Sequence, residues 1–380
     1  MPAFTVDTAA TPRTCRSGSG PSSSASTINF FDQNFKYPQT LKLAFGVDRQ
    51  LPWNIVGTFD FLHTKSINQF FLEDVNLVPG GINNEGRRLY GGINPGTGSA
   101  TPQRWSSAYR AVIRHSNESG DYSTSLTGQL QKRFSNNIEF NVGYTWSRTR
   151  DQMSLTSSIA SSNLGFAPLA GEMDERFRRR SFFDRPHKIA ISGSVAAPFK
   201  TRFALFYTGT SGSPYTYMVS GDANADGITT NDIAYIPRDA NDISLSGADA
   251  AAKAEKFAQL DDYINGEACL RDNRGQIMER NACRNHWESF VDARLGKVIP
   301  TVGGQSLELT LDVFNLMSLL GSDWGLQRST TGFETVNLLR LTGYDPVNNR
   351  GVYDLSLPQR DRVQTNASRW KMQLGAKYTF

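Results

Sequence analysis

Arg369-Trp-Lys-Met-Gln-Leu-Gly-Ala-Lys-Tyr-Thr-Phe380 alternates almost without fault and stops on an aromatic residue. Trp370, Met372, Leu374, Ala376, Tyr378 and Phe380 share one side; Lys371, Gln373, Gly375, Lys377 and Thr379 share the other. Successive strand side chains face opposite sides of a sheet, so this is a strand with one apolar and one wet face. That is the pattern of a membrane β-barrel strand, with aromatic residues near both ends where interfacial girdles lie. The closing strand of a soluble sandwich has the same period, so the rest of the chain must decide between them.

The alternation recurs. Leu41, Leu43, Phe45 and Val47 lie opposite Lys42, Ala44, Gly46 and Asp48, and after Pro52 the side chains of Ile55, Phe59 and Phe61 line one face of a returning strand. A second hairpin descends through Tyr122, Thr124, Leu126 and Leu130 to Phe134, turns at 135–137, and returns through Ile138, Phe140, Val142, Tyr144 and Trp146. Its other face carries Ser123, Ser125, Thr127, Gln129 and Gln131, then Glu139, Asn141, Gly143 and Thr145. Such residues suit a water-filled lumen, and an opposite face so rich in aromatics is not tolerated in water. Segments 188–199 with 202–210, and 290–299 with 306–314, read as two further pairs. With 109–116 and the last strand, about ten membrane-length strands are expected. Short turns at 49–53, 135–137, 198–201 and 300–305 alternate with long polar stretches at 66–104, 149–184, 213–286 and 318–366. Loops sorted by length to opposite ends are the asymmetry of an outer-membrane barrel, which a sandwich has no reason to show. Within the longest stretch, 248–264 has helical composition, with Phe257, Leu260 and Ile264 at helical spacing. It reads as a solvated surface helix over the barrel mouth.

Composition agrees. The 380 residues have a mean hydropathy of −0.42, and no run of eighteen apolar residues is present, which excludes a helical membrane protein but not a barrel. The formal charge of +4 is small, and basic residues are dispersed except at Arg176-Phe-Arg-Arg-Arg180, so nucleic acid is not an expected partner. On an outer loop that run suits acidic groups, although a solvated loop-to-strand junction is the commoner case. The first residues, Met1-Pro-Ala-Phe-Thr-Val, lack the basic and apolar regions of a signal peptide, and 11–27 is rich in Ser, Gly, Pro and Thr. Residues 1–29 are therefore expected to be a disordered or non-native leader, with 30–380 as the carboxyl-terminal part of a longer barrel.

Candidate chemistry is sparse. Cys269 and Cys283 flank a short polar segment suited to a loop disulfide in an oxidising compartment, with two free thiols as the alternative; Cys15 lies in the leader. Asp222-Ala-Asn-Ala-Asp-Gly-Ile-Thr-Thr-Asn-Asp232 begins like a calcium loop, with oxygen ligands at alternate positions and Gly227 for the sharp turn. The position that should carry a bidentate carboxylate is Ile233, so the expected calcium set is Asp222, Asn224, Asp226, the Ile228 carbonyl and an adapting Asp232; a metal-free Asx-rich turn is the rival. His63, His115, His187 and His286 are scattered, and no spacing supports a catalytic arrangement, so no catalytic residue, no cofactor beyond calcium and no enzymatic activity are expected.

Several segments resemble a known family. Leu130-Gln-Lys-Arg-Phe-Ser, Phe140-Asn-Val-Gly-Tyr-Thr-Trp-Ser, Phe183-Asp-Arg-Pro-His-Lys-Ile and Ala197-Pro-Phe are similar to later barrel strands of Oar-like TonB-dependent outer-membrane transporters. So are Gly221-Asp-Ala-Asn-Ala-Asp-Gly with Ala234-Tyr-Ile-Pro237, and Cys269 with Arg280-Asn-Ala-Cys-Arg-Asn-His-Trp287. Leu307-Glu-Leu-Thr-Leu-Asp-Val-Phe-Asn-Leu316, Asp323-Trp-Gly325 and the last strand complete the resemblance over roughly residues 30–380. It implies a barrel of about 22 strands with a plug. It also implies energised uptake through TonB, in the outer membrane of a Gram-negative bacterium. Trp370, Tyr378 and Phe380 resemble the terminal signal read by the barrel-assembly machinery, which with outer-membrane lipid is an expected partner. TonB would act only through a plug that has no counterpart in this sequence, and no residue can be assigned to substrate. The expectation is thus an all-β fold, an antiparallel transmembrane β-barrel segment with long extracellular loops. A passive porin or adhesin on a smaller closed barrel, and a secreted soluble β-protein, are the rivals.

Overall fold

A computed structural model describes residues 25–135, 137–174 and 176–380. The expected leader lies largely outside them, but its boundary at residue 29 falls inside a described strand, Ser26–Phe31. Nine strands form one antiparallel wall: β1 (Gln39–Leu51), β2 (Ile55–Asp74), β3 (Tyr122–Ser135), β4 (Ile138–Asp151), β5 (His187–Ala197), β6 (Thr201–Thr210), β7 (Glu288–Pro300), β8 (Ser306–Phe314) and β9 (Lys371–Thr379). Each pairs with the next in chain order.

The register keeps the two faces apart along the whole wall. Phe45 pairs with Phe61, Phe61 with Leu126 and Leu126 with Trp146, whereas Thr127 pairs with Asp60 on one side and Thr145 on the other. A slip of one residue in any pair would put lysines and aspartates on the apolar side, so the pattern itself locks the alignment. Tight reversals hold the hairpins. Trp53 and Asn54 (φ 62° and 58°), Phe199 and Lys200 (62° and 57°) and Gly303 and Gly304 (71° and 81°) each place two successive residues in the left-handed region, as the mirror-image turns that match strand twist require.

Two expectations for this region are corrected. Segment 109–116 is a strand of the same sheet but not a separate stave: Tyr109–Glu118 pairs with the upper end of β2, from Gln69 to Asp74, in the register that β3 continues below, and pairs in parallel with Ser26–Phe31. The cause is the length of β2, whose 20 residues outrun the wall and leave an upper half needing its own partner. The second concerns the long connections, which are not merely polar loops. Residues 75–121, 152–186, 211–287 and 315–370 fold together over one rim as a cap with a five-stranded sheet built from the third and fourth connections. The wall is not closed: among the described residues, β1 hydrogen-bonds only β2, and β9 only β8.

The separation of faces has a measurable consequence. Leu126→Arg places a charge mid-strand on the apolar side and should cost about 2–4 kcal/mol, while Thr127→Arg on the wet side should change stability little. Urea unfolding from lipid vesicles compares the two.

Candidate functional site

The wet face of the wall carries cross-strand polar pairs. Thr58 donates to Asp48 (2.5 Å), Thr127 and Thr145 share a hydrogen bond (3.0 Å), Gln129 donates to Asn141 (3.0 Å) and Ser194 donates to Glu139 (2.6 Å). Arg294 grips Asp312 through two nitrogens, at 2.5 and 3.0 Å. Near the short-turn end this face lines a hollow of about 860 Å³, with Arg133, Asn141, Ser192, Arg202 and Glu308 on its walls. Charges of both signs and amides stand there on rigid strands, an arrangement suited to a polar solute and to water.

Above it, the cap has two apolar centres. Phe71, Leu77, Tyr90, Ile113, Met153 and Leu164 join the first and second connections to the upper wall. Tyr217, Ile236, Leu260, Leu270, Leu338 and Tyr353 join the third and fourth. Helix α1 (Ala250–Asn265), capped by Asp249 accepting from the Ala252 amide (2.8 Å), contributes Leu260, Tyr263 and Ile264 to the second centre. It is therefore a packed helix rather than a solvated one.

Buried ion pairs stitch the connections together. Arg280 bonds Asp151 at the top of β4 and lies 3.3 Å from Glu334, which also accepts from Asn281 (2.8 Å). Arg87 of the first connection reaches Asp232 of the third at 2.9 Å and Glu85 at 3.6 Å, and Glu85 in turn accepts from the Tyr353 hydroxyl (2.8 Å) of the fourth. Apart from Arg87 and Glu85, these partners lie far apart in sequence, and no local spacing announces them.

The calcium-like loop lies at the heart of this junction. Asp222 accepts from the amides of Asp226 (3.0 Å) and Gly227 (2.8 Å), Asn224 from Asp226 (2.9 Å) and Asp226 from Ile228 (2.7 Å). Burial, reinforced by the charges of Asp226 and Asp232, pushes the Asp222 carboxyl up to about 8; burial also raises Asp226. Asp232, the expected adapting ligand, accepts from the Arg87 guanidinium (2.9 Å) and from the Ala223 amide (2.7 Å). Among the described residues, no three His, Cys, Asp or Glu side chains converge as a metal-ligating set.

The other singled-out residues are dispersed. Cys269 and Cys283 are joined in a disulfide with Cα atoms 5.2 Å apart, at the edge of the second apolar centre. Trp370, Tyr378 and Phe380 are exposed at the last strand, far in sequence from the cap chemistry. The basic run splits: Arg178 lies 3.7 Å from Asp121, Arg179 3.4 Å from Glu279 and Arg180 4.0 Å from Asp184. Arg176 is buried, with two guanidinium nitrogens lacking a hydrogen-bond partner, and burial followed by the charge of Arg280 lowers its pKa to about 10.

A wall of alternating strands with short turns at one rim and a cap at the other defines a membrane β-barrel protein. Residues 2–318 match the model of the outer membrane beta barrel domain family, and the chain belongs to that family. Its location is the outer membrane. Among solved structures, the chain is similar to the outer membrane transporter YddB from Escherichia coli, with 10% identity and a TM-score of 0.44, over 94% of this chain and 35% of that one. The chain thus spans about a third of that structure's length. No protein of curated function matches it.

Two outcomes follow from the cap's charges. Arg280→Ala leaves Asp151 and Glu334 buried without their cation and should cost about 3–5 kcal/mol, read as faster proteolysis of the cap while the wall resists. Asp121 is one pH-sensitive group: burial and then the charge of Asp151 raise it to about 6. The native state therefore holds this proton more tightly than the unfolded chain, whose Asp titrates near ~4. Its contribution is fully present below ~4 and lost as pH rises through about 6. Asp121→Asn should flatten that part of the stability–pH curve, measured by thermal unfolding between pH 4 and 7.

Proposed function

We propose that this chain supplies part of the wall and the outer cap of an Oar-like TonB-dependent transporter, which takes up a solute by energised passage and makes or breaks no bond in it. The observation that carries the reading is the fusion of all four long connections into one folded cap over a polar inner wall. An open pore needs its mouth clear, whereas a receptor that captures a scarce solute needs a structured outer surface on rigid supports. The motifs that resemble Oar-like transporters run through the same strands and connections.

The unpaired outer edges of β1 and β9 support the larger barrel. An unsatisfied backbone group costs several kcal/mol in hydrocarbon, so these edges call for further strands, up to the roughly 22 of that transporter class. A TonB-engaged plug would come with those strands. Phe380, with Trp370 and Tyr378, would serve the barrel-assembly machinery. The smaller closed pore has no observation in its favour, since β1 and β9 do not pair with each other.

The test is genetic. Across a panel of nutrient limitations, cells lacking this gene and cells lacking TonB should fail on the same condition, and the double deletion should add nothing. A growth defect that persists independently of TonB would overturn the reading.

A further inference from the structure

Asn231 is fully buried, and its side-chain oxygen Oδ1 has no hydrogen-bond partner. An amide oxygen left so costs about 1–3 kcal/mol, which calls for an explanation in the surroundings. The same amide reaches the acidic loop: Nδ2 lies 2.7 Å from Asp226 Oδ2, and Asn224 Nδ2 lies 3.1 Å from that oxygen. Two amides from two positions of the loop thus converge on one carboxylate oxygen. Amide oxygen and nitrogen have the same shape and trade places by a half-turn of the side chain. With the half-turn made at Asn231, its Oδ1 faces Asp226 Oδ2, while Asn224, whose own Oδ1 accepts from the Asp226 amide (2.9 Å), keeps its orientation; a cation stabilises two oxygens so placed.

We infer that the loop binds calcium through Asp222, Asn224, Asp226, the Ile228 carbonyl and Asn231 Oδ1. This set differs from the spacing-based one at its last member: Asn231 Oδ1 has no partner, whereas Asp232 is already paired with the Arg87 cation. Charge points the same way. Among the described residues, neither Asp222 nor Asp226 makes an ion pair within 4 Å, although both are buried, whereas the neighbouring Asp232 has Arg87; the buried Arg176 acts on Asp226 through its charge alone. An all-oxygen set on a turn with Gly227 at φ 90° suits calcium in its flexible coordination better than magnesium, which demands near-octahedral geometry and keeps its waters.

The position gives the ion a task. The Asn224 carbonyl accepts from the Tyr90 amide of the first connection (2.7 Å), and the Asn231 carbonyl accepts from the Leu169 amide of the second (2.7 Å). Two of the five ligand residues therefore hold neighbouring connections through their backbones, so an ion that orders the loop orders the junction of three. The inference stands whether or not the barrel is energised through TonB.

Terbium luminescence on the full chain in detergent micelles is the direct measurement, with Tyr90 beside the loop as the sensitising ring. The expected result is a saturable signal displaced by calcium with a Kd of roughly 10⁻⁴–10⁻³ M, the range of extracellular modules, and not by equal magnesium. Asp226→Asn and Asn231→Leu should each weaken binding at least ~10-fold, while calcium should slow proteolysis of the wild-type cap. Unchanged affinity in both variants, or a wild-type signal that calcium does not displace, would overturn the assignment. Should the variants fail to fold, calorimetry on the wild-type protein decides: no binding heat up to ~10 mM calcium, well above that range, rejects the site.

Discussion

Every backbone amide and carbonyl that sits in hydrocarbon must be paired by another strand, because no water is there to replace it. That constraint organises this protein. It forces the nine wall strands into an unbroken meander, in which each strand satisfies its neighbour. It also makes the two edges of the wall the sites of greatest chemical demand, since β1 and β9 each carry a row of unpaired groups. Side-chain alternation then fixes which neighbour residue each pairs with, by penalising any register that turns Lys42 or Asp312 toward lipid.

Outside the membrane the governing physics changes. Water is present, chain reversals are free, and apolar burial can again drive folding. The four connections use it: they build two apolar centres and lock them with buried Arg87 and Arg280, each shared between segments far apart in sequence. Removing one partner of such a pair strands a buried charge, so each connection depends on the others for its charge balance. The Arg280–Asp151 pair and the apolar contacts of Phe71 tie this cap to the wall.

The wall was legible because its signal is local. Segments such as 122–134 and 138–146 carry period-two alternation with turn residues between them, and β3 and β4 form there with the expected pairing. The disulfide partners and the helix near 250–264 were also visible, from spacing and composition. Segment 109–116 misled because its alternation is equally good, while its partner is the overlong upper end of β2, set by geometry and not by pattern. The acidic loop was visible as a motif, but the partners of its last member were not. Arg87 lies far away in sequence, and nothing near Asp232 signals that its oxygens are taken.

The sequence by itself determined that this is an outer-membrane barrel wall and which side of each hairpin strand meets lipid. Alternation is a property of consecutive residues, and lipid punishes every exception to it. Only the tertiary structure decided that the connections fold into a single cap, that Asp232 belongs to Arg87, and that Asn231 brings an unpaired oxygen to the acidic loop. Those outcomes depend on which distant segments meet in water, where burial rewards any complementary surface and local pattern imposes no unique partner.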